Sequence, residues 1–236
     1  MKRLAMAALV VAMGASLAYA GSDVTGDVSN KSTIKDSQNI SIGTGNKASM
    51  GSVGIKDSKV DGTVTNKANI EGSSNSAVGN NNSANMGSVS VDNSTVTGTV
   101  DNNANISNSI NSAEGDDNTA NMGSVDIKDS RVRGEVRNQA NISNSMNMSK
   151  GTGNTANMGA AEIRNSNVNG TISNNANISN SVNSADGTDN TANMGAVQVK
   201  NSNVTGTVTN NANISNSTNS AEGTGNQSDM GSVSIK

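Results

Sequence analysis

The 236-residue chain contains no Pro, Cys, His, Trp or Phe, and its one Tyr is Tyr19. Sixteen basic residues stand against 19 acidic ones, a formal charge of −3. This composition leaves no disulfide framework, no imidazole or thiolate for catalysis or metal binding, and no basic surface for nucleic acid or anionic lipid.

The first 20 residues have the parts of a secretory leader: Lys2 and Arg3, a mostly apolar run from Leu4 to Leu17, and the small-x-small site Ala18-Tyr19-Ala20. The apolar run is short for a membrane span, which needs about 20 residues, and no later segment is apolar enough to span. The expected division is therefore a signal peptide over 1–20 and one exported repeat domain over 21–236. The mature chain then carries 14 basic and 19 acidic residues and no aromatic side chain.

Everything after the leader is one 36-residue unit repeated six times. Met-Gly pairs recur at Met50, Met86, Met122, Met158, Met194 and Met230, each step 36. Gly21 falls in register with Asp57, and Lys236 with Lys56, so the two ends are expected to be in phase for one molecule to continue the next. The 42 Asn residues, with abundant Ser, Gly and Thr, would suit a disordered chain. The strict period argues for a repeated structural role.

Within each unit, Val125 and Ile127 alternate with polar residues, then Asp129-Ser130 marks a turn, as Asn, Asp and Ser side chains bond nearby backbone. Next comes the column Val24, Val60, Val96, Val132, Val168 and Val204. Four residues on lies Val28, Val64, Val100, Val136, Ile172 and Val208, with Gly midway. The two-residue period predicts strands with one buried face, and the Gly a bend or close approach. No apolar stripe of helical spacing appears. The fold class expected is an all-β solenoid without end caps.

Asn102-Asn103-Ala104-Asn105-Ile106 is similar to Asn118-Thr119-Ala120-Asn121-Met122. This inner likeness predicts two unequal rungs per unit, about twelve in all, and a rod of roughly 58 Å. One large 36-residue rung is the alternative. Three Asn columns run without exception: Asn30, Asn66, Asn102, Asn138, Asn174 and Asn210; Asn39 to Asn219 in steps of 36; and Asn46, Asn82, Asn118, Asn154, Asn190 and Asn226. Stacked amides both donate and accept, so such columns predict hydrogen-bonded ladders.

The segment Gly151-Thr152-Gly153-Asn154-Thr155-Ala156 resembles the G-x-G-N-x-A core of curlin repeats, the secreted amyloid subunits of bacterial curli fibres. Its spacing recurs at Gly43/Asn46/Ala48, Gly79/Asn82/Ala84, Gly115/Asn118/Ala120 and Gly187/Asn190/Ala192, and the last copy has Ser228 in place of Ala. The resemblance implies a bacterial, secreted, self-assembling β-solenoid subunit of an extracellular matrix.

No copy carries a chemistry the others lack. Ser is abundant but has no base beside it. The acidic pair Asp116-Asp117 and the turn Gly187-Thr188-Asp189-Asn190 offer oxygen ligands, yet the matching turns have no carboxylates, so a hydrogen-bonded turn is the reading preferred to calcium or catalysis. The Met column fills Ile positions and is read as core in preference to Cu(I). Thr faces for ice are interrupted by Arg133 and Glu135. The expected function is a non-enzymatic subunit, without cofactor, stacking with itself, served by a dedicated outer-membrane exporter or nucleator. The alternative is a monomeric cell-surface adhesin or spacer.

Overall fold

The computed structural model describes residues 17–236 apart from 45–46, 82, 118, 153–154, 190, 225–226 and 236. Among these there is no helix; the chain winds as a β-solenoid of six rungs, one per repeat. Residues 57–92 show one rung. Lys59–Asp61 and Val64–Glu71 form a long wall, Ser74–Val78 an outer wall, Ser83–Met86 a return wall and Val89–Asp92 a closing wall. Each segment pairs in parallel with its equivalents 36 residues away. The walls thereby become four parallel sheets: the long sheet of nine strands, the outer and return sheets of six each, and the closing sheet of seven.

The expected pair of rungs per unit is corrected to one. All described pairings span 36 residues, and none spans 16 or 20. The likeness between the two half-units has a different physical origin, because they are two walls facing one interior. Ile106 and Met122 belong to one apolar cluster, and Asn102 Nδ2 donates to the carbonyl of Gly123 across it at 3.1 Å. Six rungs make a rod of roughly 29 Å, not 58.

The alternation of side chains builds the core. In Val64–Glu71 every second residue is buried, from Val64 through Asn66 and Ala68 to Ile70. The Val60, Val96, Val132 and Val168 column is fully buried and packs against the closing sheet, with Val24 and Val204 partly covered at the two ends. The Met column is buried from Met50 to Met194, against Ala68, Ile70 and their equivalents. Each Val or Ile so buried is worth roughly 1.5–3 kcal/mol.

The Gly midway along the long wall gives the close approach that its position suggests. A Cβ at Gly98 would strike the carbonyl oxygen of Gly62 directly beneath, and its φ of +135° suits glycine alone. The expected Asp-Ser and Asn-Ser turns are corners. Asp57, Asn93, Asp129, Asn165 and Asn201 take φ between 46° and 51°, a left-handed conformation that Asn and Asp tolerate best after Gly. Gly21 fills the same corner position with φ 64°, and its N–H donates to Lys56 O at 3.1 Å, as the register requires. Lys236 lies outside the described residues. Leu17–Ala20, the end of the expected leader, forms a further strand of the closing sheet, in register with Val53–Lys56.

Candidate stacking interface

The contact between successive rungs is the one feature repeated throughout the molecule. Its polar part is built from side chains whose hydrogen bonds run along the rod. In the long sheet Asn30 donates to Asn66 at 2.8 Å, Asn66 to Asn102 and Asn102 to Asn138 at 2.9 Å, Asn138 to Asn174 at 2.8 Å, and Asn174 to Asn210 at 2.9 Å. The ladder is buried from Asn30 to Asn174.

A second ladder climbs the outer sheet from Asn39 through Asn75, Asn111, Asn147 and Asn183 to Asn219, with distances of 2.8–3.0 Å. Here the second amide proton crosses the interior to a carbonyl of the return wall, such as Asn111 to Asn121 O at 3.0 Å and Asn183 to Asn193 O at 2.9 Å. Each amide thus spends one proton along the rod and one across it. Nothing in the interior is left for a water to satisfy at these positions.

The third expected column, Asn46, Asn82, Asn118, Asn154, Asn190 and Asn226, lies outside the described residues. A ladder that column-reading missed runs up the return sheet instead. Asn85 donates to Asn121 and Asn121 to Asn157 at 2.8 Å, and Asn157 to Asn193 at 2.9 Å. Ser49 and Asp229 occupy its ends, Ser49 Oγ at 3.4 Å from Asn85 Oδ1 and Asn193 Nδ2 at 3.2 Å from Asp229 Oδ2. A search for unbroken Asn columns passes over it for that reason. A search allowing any amide, hydroxyl or carboxylate would find it.

The corners carry hydroxyl ladders as well. Ser94 Oγ donates to Asp92 O at 2.6 Å and accepts the Ser58 N–H at 3.1 Å; Ser130 Oγ repeats this with Lys128 O and the Ser94 N–H. The second corner does the same with Ser73, Ser109, Ser145 and Ser181. At these two corners Ser serves beyond turn propensity: its one hydroxyl closes the corner and bonds it to the neighbouring rung.

One place breaks the repeat. The closing-wall column Ser90, Asp126, Glu162 and Gln198 acquires charge in the middle of the rod. Glu162 is buried, accepts a hydrogen bond from Asn157 at 3.1 Å, and lies 3.3 Å from Arg164 Nε. Arg164 also clamps Asp126 through both carboxylate oxygens at 3.1 and 3.2 Å. Burial pushes the Glu162 carboxyl above its ordinary range, against the opposing pull of Arg164. Burial would lower the Arg164 guanidinium, but Asp126 and Glu162 outweigh it and hold the group protonated. These carboxylates have a second effect. With one rung per unit, Lys128, Arg164 and Lys200 stand only ~4.8 Å apart along the stack, closer than the ~10 Å expected from two rungs. Asp126 and Glu162 relieve that crowding. Among the described residues no group of three or more His, Cys, Asp or Glu side chains could hold a metal, and no helix is long and apolar enough to cross a membrane.

Comparison with protein-family models, with curated proteins and with solved structures finds no match for the chain.

Proposed function

We propose that the chain is a secreted, non-enzymatic structural subunit that stacks end to end into an extracellular, functional-amyloid-like fibre of a bacterial matrix. The carrying observation is the rung-to-rung contact itself. The surface that one rung offers upward fits the surface that the next offers downward, by the same register and, in the long and outer sheets, the same Asn ladders at every step. Such a contact is heterologous, and a heterologous contact whose rotation does not close builds a filament. Any top rung is a template for any bottom rung.

The first rung carries a mark of this. Asn30 is buried, yet its Oδ1 has no partner among the described residues. In every rung above, the equivalent oxygen accepts from the Asn one rung below. A second molecule's Asn210 would supply that donor. The leader and the G-x-G-N-x-A resemblance support export, and the chain itself, an exporter and a nucleator are the partners this reading calls for.

Internal deletions test the reading. Removing residues 93–128, one complete rung, preserves every register and should leave assembly intact. Removing residues 93–110 puts the walls out of phase and should abolish it, as seen by electron microscopy of the purified chain. Equal polymerisation of both variants, or of neither, contradicts stacking by repeat register.

A further inference from the structure

The closing sheet has seven strands where the rod has six rungs. The extra strand is Leu17–Ala20, which lies below the first rung with Leu17 against Val53 and Ala20 against Lys56. Among the described residues it is the only segment below that rung, and the long, outer and return sheets end in strands of the first rung itself. Leu17–Ala20 sits under Val53–Lys56 as Val53–Lys56 sits under Val89–Asp92. It therefore holds the place of a rung that the chain does not contain. In an end-to-end stack the strand in that place would be Val233–Ile235 of the preceding copy.

The backbone says what this edge offers. Val53 N donates upward to Ser88 O at 2.9 Å, and Asp57 N to Asp92 O at 3.1 Å. Successive N–H groups of an extended strand point to opposite neighbours, so those of Gly54 and Lys56 face down. From below, Gly21 N donates to Lys56 O at 3.1 Å. One strand at a time can satisfy such an edge. The apolar pattern suits either occupant, because Leu17 and Tyr19 take the register positions of the Val53 and Ile55 columns, which end in Val233 and Ile235. At the top of the rod Val233 and Ile235 are 48% and 63% exposed, whereas Val53 and Ile55 are 1% exposed. The upper end of the closing sheet lacks a neighbour and the lower end already has one.

We infer that Leu17–Ala20 stands in for the neighbouring copy: it closes the lower edge of the closing sheet to Val233–Ile235 of a second molecule until the leader is removed. The inference rests on the stacking and export proposed above. Joined directly to the first rung, this strand competes at an effective concentration on the order of millimolar, so a second copy at micromolar concentration is at a roughly thousandfold disadvantage for the edge. Hydrolysis of the Ala20–Gly21 amide ends that advantage. One water is consumed, Ala20 becomes a carboxylate terminus and Gly21 an ammonium terminus, and a strand so short does not stay paired without its tether. The unprocessed chain keeps its upper end, so it still seats beneath a processed copy. There it blocks any further addition from below.

Three forms of the chain test this: the unprocessed full chain, the full chain carrying Tyr19→Pro, and the chain after cleavage by a signal peptidase. By the same alternation the N–H of Tyr19 faces Gly54 O, and proline has no N–H to give. Amide hydrogen exchange at Gly54 and Lys56, in dilute monomer, reads the edge itself; negative-stain microscopy of concentrated samples reads rod length. The unprocessed chain should protect both amides and stay short. Tyr19→Pro should exchange them at least tenfold faster and should lengthen as the processed chain does. Unprocessed chain mixed into processed chain at about one part in ten should hold the rods to about ten copies, with one blocked lower end in each. Equal exchange in the unprocessed chain and Tyr19→Pro, or an unprocessed chain that lengthens as readily as the processed one, overturns the inference. A processed chain that never lengthens contradicts the stacking reading, and the exchange at Gly54 and Lys56 then still decides whether the leader holds the edge.

Discussion

The two ends of one rung's cross-section are held together by different physics. At the closing end, the Val53 and Ile55 columns pack against the Val60 and Val64 columns in one apolar cluster. At the outer end, the buried apolar groups between the outer and return walls are alanines only, such as Ala77, Ala84, Ala113 and Ala120. There the Asn39–Asn219 ladder and its cross-wall bonds occupy the space that larger side chains fill elsewhere. Burial of Val and Ile is strong but indifferent to register, because an apolar column slides on its neighbour at little cost. An amide ladder contributes less and is satisfied only when each Asn sits over the next. The closing end supplies stability, and the outer end supplies alignment.

Substitutions should separate these roles. The largest effect is expected at the closing end. Val136→Asp places a carboxylate at a fully buried site between Val100 and Ile172 and should cost several kcal/mol, enough to collapse thermal unfolding to a low-temperature transition and to stop assembly. At the outer end, Asn111→Ala removes the acceptor of Asn75 and the donor to Asn147. The cost should be about 1–3 kcal/mol, with rods still forming but slowly and with mixed registers visible by solid-state NMR. A larger loss from Asn111→Ala than from Val136→Asp would reverse the comparison.

Glu162→Gln should act in the opposite direction. The carboxyl has its pKa raised in the fold, so folding favours its protonated form. Its contribution is most favourable at pH below the ordinary carboxylate value and is lost as pH rises through the raised value. The neutral amide, already present one rung on as Gln198, should raise the midpoint of thermal unfolding by a few degrees at pH 7 and make no difference in acid. A variant less stable than the natural chain at neutral pH would show that the Arg164 pairing outweighs the burial. The smallest effect is expected for Asn141→Ala. Its 2.8 Å bond to Asn105 is exposed, and the change should stay within about 0.5 kcal/mol.

Much of this was legible in the sequence, and the part that was not has a definite cause. Period, strand alternation, the Asp-Ser corners, the buried Met and Val columns and two Asn ladders all follow from reading positions 36 apart. The number of rungs per repeat did not follow. Asn102–Ile106 and Asn118–Met122 have the same alternation whether they are stacked or face each other, since both arrangements bury one side of a strand. Only the register distinguishes them, and register is a property of pairs of segments, which no single column reveals. The return-sheet ladder was hidden for a related reason: Ser49 and Asp229 preserve hydrogen bonding while breaking residue identity. The charges of Asp126, Glu162 and Arg164 were visible, but the burial of Glu162 was not, because its hydrogen-bond partner Asn157 belongs to the return wall.

Mass per unit length of unstained filaments, taken with their fibre diffraction, tests the central claim most directly. Stacking by repeat register predicts a meridional reflection at ~4.7 Å and one 36-residue rung for every ~4.8 Å of each rod. A chain that stays a monodisperse monomer without that reflection, or filaments holding half that number of residues per rung, would contradict it.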